Sequence, residues 1–64
     1  MQAIITIFES ELLEKDRVVE QLMLLCEDVK QVTNALVFAP IPGKLFELLT
    51  ILRDNRIEYR AHFA

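Results

Sequence analysis

Apolar and polar positions along the chain fall into six blocks with different spacings. Residues 3–8 (Ala-Ile-Ile-Thr-Ile-Phe) are β-branched and aromatic and almost continuously apolar, which predicts a central strand covered on both faces. From Glu11 to about Glu27 the spacing is helical. At about 100° per residue, Leu12, Val18, Val19, Leu22, Met23, Leu25 and Cys26 share a broad stripe, continued by Val29 if the helix runs that far. Ser10 offers an N-cap, with Glu9 and Glu11 at the positive end of the helix dipole. Leu13 and Leu24 fall together on the opposite side of this helix, within about 20° on the wheel. Glu14-Lys15-Asp16-Arg17 reads as a solvated turn with local ion pairs.

The next stretch is shorter and more polar. Val29-Lys30-Gln31-Val32 predicts an edge strand, Thr33-Asn34 a tight turn, and Ala35-Leu36-Val37-Phe38-Ala39 a second central strand; Asn tolerates the left-handed backbone that such hairpins require. A single longer strand across 30–39 is the competing reading. After Pro40-Ile41-Pro42-Gly43, a helix over Lys44–Asp54 buries Leu45, Leu48, Leu49 and Leu52 and turns Glu47, Thr50 and Asp54 outward. Residues 56–63 alternate strictly, with Ile57, Tyr59, Ala61 and Phe63 inward and Arg56, Glu58, Arg60 and His62 outward, as in a half-exposed edge strand.

The order is therefore βαββαβ in a single domain, 1–64. The first and third strands are apolar on both sides, and the second and fourth are half polar. The ferredoxin-like split βαβ sheet, order 4-1-3-2, places those same pairs centrally and at the edges. The expected fold is α+β and ferredoxin-like, with a four-stranded antiparallel sheet and both helices on one face. Alternation leaves either Ile5 and Ile7 or Ile4, Thr6 and Phe8 on the open face, joined by either Leu36 and Phe38 or Val37 and Ala39.

Composition adds a constraint on stability. A chain of 64 residues buries only about 60% of the surface its unfolded form exposes. One cysteine and one histidine exclude an internal disulfide and a four-ligand Cys/His zinc site. With 53% hydrophobic residues, oligomerisation or docking on another protein is the remedy left. A net charge of −3 and a pI near 4.9 argue against nucleic acid, whose phosphates are bound by clustered Lys and Arg. No apolar run reaches the about 20 residues of a membrane span, and the N-terminus lacks the features of a signal peptide. These readings predict a cytoplasmic protein.

Candidate chemistry is sparse. Cys26 on an apolar stripe reads as a buried, unreactive thiol, and His62 as a surface side chain or a partner contact. The carboxylates sit on helix surfaces or ends. No enzyme activity and no cofactor are expected. Leu13, Arg17 and Leu24 on the long helix, with Arg60 and His62 on the last strand, are the candidate partner-binding residues. Pro42, Gly43 and Lys44 open a helix behind a buried strand, where free N–H groups, a Gly and an ammonium can hold a small anion. The plainer alternative is that Pro42 starts the helix and Gly43 relieves the turn.

Residues 38–52, Phe-Ala-Pro-Ile-Pro-Gly-Lys-Leu-Phe-Glu-Leu-Leu-Thr-Ile-Leu, followed by Ile57-Glu58-Tyr59, resemble the strand–Pro-Gly–helix–strand half of an ACT domain. These small ferredoxin-like regulatory modules pair through their sheets and often bind an amino acid at the interface. Here the Pro-Gly turn follows the third strand rather than the first, and Asp54-Asn55-Arg56-Ile57 replaces a Gly-Ile-Asn-Ile-like segment. The resemblance implies that Pro42, Gly43 and Lys44 border a ligand site.

Overall fold

Strand β1 (Ala3–Phe8) is followed by a 3-10 turn (Glu9–Leu12), helix α1 (Asp16–Leu24), strands β2 (Cys26–Val32) and β3 (Ala35–Pro40), helix α2 (Leu45–Asp54) and strand β4 (Arg60–Phe63). This computed structural model describes residues 2–64. All strand pairings are antiparallel and the sheet order is β2-β3-β1-β4, which is the ferredoxin-like split βαββαβ arrangement. Ile5, Ile7 and Phe38 are fully buried with Leu22 of α1 and Leu48 and Leu52 of α2. Both helices therefore cover the face that Ile5 and Ile7 point to. The open face carries Ile4, Thr6 and Phe8, and the register Thr6↔Val37 puts Val37 and Ala39 beside them.

The hairpin forms at Thr33-Asn34, where Asn34 alone takes the left-handed conformation, φ 61. The end of β1 is tied to it through the Glu9 N–H, which donates to the Asn34 carbonyl at 2.8 Å. The single long strand across 30–39 does not form.

The first helix is shorter than its periodicity predicts. The Lys15 N–H donates to the Leu12 carbonyl at 3.1 Å. Leu13 (φ −60, ψ 130) and Glu14 (φ 60) between them make a type II turn. Leu12 is buried ahead of this reversal, and α1 starts only at Asp16. Ser10 lies inside the 3-10 turn and caps nothing. At the other end, Cys26 and Val29 belong to β2, facing Pro40 and Phe38. The register shifts between Cys26 and Asp28. That β-bulge puts two residues three apart on the same side of a strand, so it mimics the helical spacing in the sequence. Pairing along the whole of β3 overrides the residual helical pattern.

The end of α2 agrees more closely with its sequence. The Ile57 N–H donates to the Leu52 carbonyl at 2.9 Å and the Arg56 N–H to the Arg53 carbonyl at 3.1 Å, the two bonds of a Schellman motif. Ile57 and Leu52 are both core residues, as the hydrophobic contact of that motif requires. Arg56 occupies the left-handed position, φ 55, usually filled by Gly. Beyond Ile57 the expected inward side of β4 is not covered: Tyr59, Ala61 and Phe63 are all exposed. The helix layer stops short of this edge.

Candidate functional site

The open sheet face is ordered in rungs set by strand register. Asp28, Ala39, Ile4 and His62 share one rung, and Lys30, Val37, Thr6 and Arg60 the next. Val32, Ala35 and Phe8 begin a third. The two central strands thus supply an apolar floor of Ile4, Val37, Ala35 and Ala39. The edge strands supply a polar rim of Asp28, Lys30, Arg60 and His62. Two larger side chains stand at the Phe8 end, where Phe8 and Val32 are 47% and 53% exposed. The Arg60 guanidinium lies 5.8 Å from the centre of the Phe8 ring, a cation–π distance. A shallow depression of about 490 Å³ is lined by Ile4, Val37 and Ala39 and by Gln2, Asp28 and Lys30.

Arg60 and His62 therefore sit on this face, paired with Thr6 and Ile4. Leu13, Arg17 and Leu24 lie elsewhere. The type II turn separates Leu13 from α1, so Leu13 and Leu24 do not share one helix, although both are exposed at 70% and 80%. Arg17 and Leu24 belong to α1, in the helix layer on the other side of the sheet. The structure does not gather the five candidate partner residues into one surface. Phe46, 80% exposed, was not singled out by its sequence context. Its position about 160° from Leu48 on the wheel of α2 marks it as outward.

At the Pro-Gly turn, the Lys44 N–H donates to the Ile41 carbonyl at 2.9 Å, and Gly43 has φ 89. With Pro42 preceding it, this is a type II β-turn. The helix begins after it, at Leu45, so Pro42 is not the first helical residue. Pro42 and Gly43 border a concavity of about 410 Å³ with Gln2, Ala3, Glu27 and Ile41. Lys44 does not line it. Its ammonium lies 3.3 Å from Glu47 Oε1. Among the described residues, the ionisable group lining the concavity is Glu27, 3.4 Å from Gln2 Nε2, which favours a cation over an anion there.

Cys26 begins β2 and is partly buried. Burial pushes its thiol up to about 11, so it is protonated and a poor nucleophile near neutrality. Among the described residues, no three His, Cys, Asp or Glu side chains converge as a metal site. No helix among them is long and apolar enough to cross a membrane. The chain matches no family model, no curated protein and no solved structure.

Proposed function

We propose that the chain is a small non-catalytic protein–protein interaction module of the adaptor or inhibitor type, that it self-associates, and that it works in the reducing cytoplasm. The observation that carries this reading is the uncovered sheet face, where an apolar floor of Ile4, Val37, Ala35 and Ala39 is framed by charged edge residues. An apolar centre inside a polar rim is the anatomy of a protein contact surface. The exposed area points the same way. The chain exposes 4741 Å², whereas a monomer of this mass is expected to expose about 4,200 Å². The test is a capture experiment from the native host with the wild type and Val37→Glu as baits, read by mass spectrometry. A protein held by the wild type and lost by Val37→Glu, with circular dichroism unchanged, is the expected result. Captured proteins indifferent to Val37→Glu count against the reading.

A second reading, an ACT-like sensor of an amino acid or similar small molecule, is favoured by the concavity beside Pro42 and Gly43. Glu27 there suits an ammonium, but among the described residues no Lys, Arg or His lines the concavity to receive a carboxylate, so this reading ranks second. A ligand that binds only the folded chain raises its melting temperature. A panel of amino acids and nucleotides that leaves the melting temperature unchanged would remove this reading.

A further inference from the structure

Gln2 and Ala64 exchange both backbone hydrogen bonds, at 3.1 and 2.9 Å. That pair fixes the phase of the β1–β4 ladder, because hydrogen-bonded and non-hydrogen-bonded pairs alternate in antiparallel strands. Ile4↔His62 and Thr6↔Arg60 are then hydrogen-bonded pairs. The N–H and C=O groups of Ala61 and Phe63 point away from the sheet, along its free edge. Ala61 is paired with Ile5 and Phe63 with Ala3, so their side chains project to the helix side. No helix covers them there, and Phe63 is 54% exposed.

The opposite edge differs. β2 carries a bulge between Cys26 and Asp28 and the charges of Glu27, Asp28 and Lys30, features that discourage strand addition. β4 is short and carries Arg60 and His62, but it has neither a bulge nor a proline. With β4 the regular edge and β2 the bulged one, self-pairing through β4 closes at two copies instead of running on as a filament.

The size of the open face gives a reason for such pairing. Four strands about 4.8 Å apart, over five to six residues of about 3.3 Å rise, give a face of roughly 350 Å². A standard protein interface needs about 800 Å² from each partner. Two copies joined edge to edge offer one continuous face of roughly 700 Å², close to that size.

We infer that a second copy of this chain pairs antiparallel with β4, forming an eight-stranded sheet whose joined open faces make the complete interaction surface. This rests on the reading of the chain as a self-associating interaction module. A two-fold axis at His62 sets Ala61 opposite Phe63 of the second copy, and Phe63 opposite its Ala61. Both are hydrogen-bonded pairs, with a small side chain beside a large one on the helix side. An axis at Ala61 would instead oppose Arg60 to His62 and draw Tyr59, outside the strand, into the ladder. The His62 axis makes the two His62 residues a non-hydrogen-bonded pair, with Cα atoms about 4.5 Å apart. That spacing falls in the range that a disulfide spans.

Sedimentation equilibrium and mild oxidation test the seam together. The wild type is expected to be a dimer. Ala61→Pro removes an N–H that β1 does not use, so it should be monomeric with its circular dichroism retained. Ala61→Lys reads the same edge if the proline variant misfolds. In a Cys26→Ser background, His62→Cys should run as a disulfide-linked dimer, whereas Glu20→Cys on the outer side of α1 should not. A dimer that persists in the folded Ala61 variants overturns the inference, as does His62→Cys linking no faster than Glu20→Cys. Either result leaves self-association itself standing. A wild type that is monomeric at every concentration removes that reading as well.

Discussion

Glu14 and Arg56 hold φ of 60 and 55, a region where an L side chain crowds the following carbonyl. The cost is about 1 kcal/mol or more for a residue with a Cβ. Both are fixed by surrounding geometry: Glu14 closes the type II turn before α1, and Arg56 completes the Schellman motif after α2. Replacing either with Gly relieves the crowding, partly offset by the greater freedom of Gly in the unfolded chain. Glu14→Gly and Arg56→Gly should each raise stability by up to about 1 kcal/mol, seen as a higher urea midpoint at unchanged slope. A lowered midpoint would mean that the side chain makes a contact worth more than the strain.

Cys26 gives a pH signature at the same scale. Its thiol titrates at about 11 in the fold, against 9.0 ordinarily, because burial disfavours the thiolate. The folded state thus binds the proton more tightly than the unfolded one. The resulting stability is fully present below pH 9, and it is lost as pH rises from there through about 11. Cys26→Ala should flatten this alkaline decline relative to the wild type. Parallel declines in the two proteins would contradict the assignment.

At the scale of elements, the two sides of β1 and β3 have different energetic roles. Ile7→Asp places an unpaired charge in the fully buried layer beneath the helices, a cost of several kcal/mol against a small domain's marginal stability. It should abolish cooperative unfolding. Val37→Glu, on the open face, should fold with its helical circular dichroism intact. If both unfold the chain, the uncovered face is part of the core and its role as a contact surface fails. The pair Leu13 and Leu24 is separated by the turn at Glu14, and exchanging both for Gln should change the unfolding free energy, read from urea titration, by no more than about 0.5 kcal/mol.

The two central strands were legible because continuous apolarity in 3–8 and 35–39 marks central strands regardless of pairing partner, whereas the last strand, expected over 56–63, forms only at Arg60–Phe63. The second helix was legible because Leu45, Leu48, Leu49 and Leu52 keep one phase to the end. The first helix was overextended at both ends. A Glu in the left-handed position gives no warning of a reversal, and the bulge in β2 spaces Cys26 and Val29 as a helix would. Which side of β1 faces the helices could not be read from a strand apolar on both sides; register and helix packing decide it. The mutual arrangement of Arg60, His62, Lys30 and Asp28 was equally hidden, since it arises only when four strands from distant parts of the chain align.

At the scale of the whole molecule, the chain combines a small core with two unsatisfied surfaces, the open sheet face and the free β4 edge. A domain of this length draws only a few kcal/mol from one core, and the proposed pairing of copies would add stability that depends on concentration. Its melting temperature should therefore rise with protein concentration, whereas a self-sufficient monomer melts at one temperature throughout. The most direct measurement is sedimentation equilibrium of the wild-type protein across the micromolar range. A mass of twice the 7.4 kDa chain is predicted; 7.4 kDa at every concentration, with a fully cooperative thermal transition, would contradict the account.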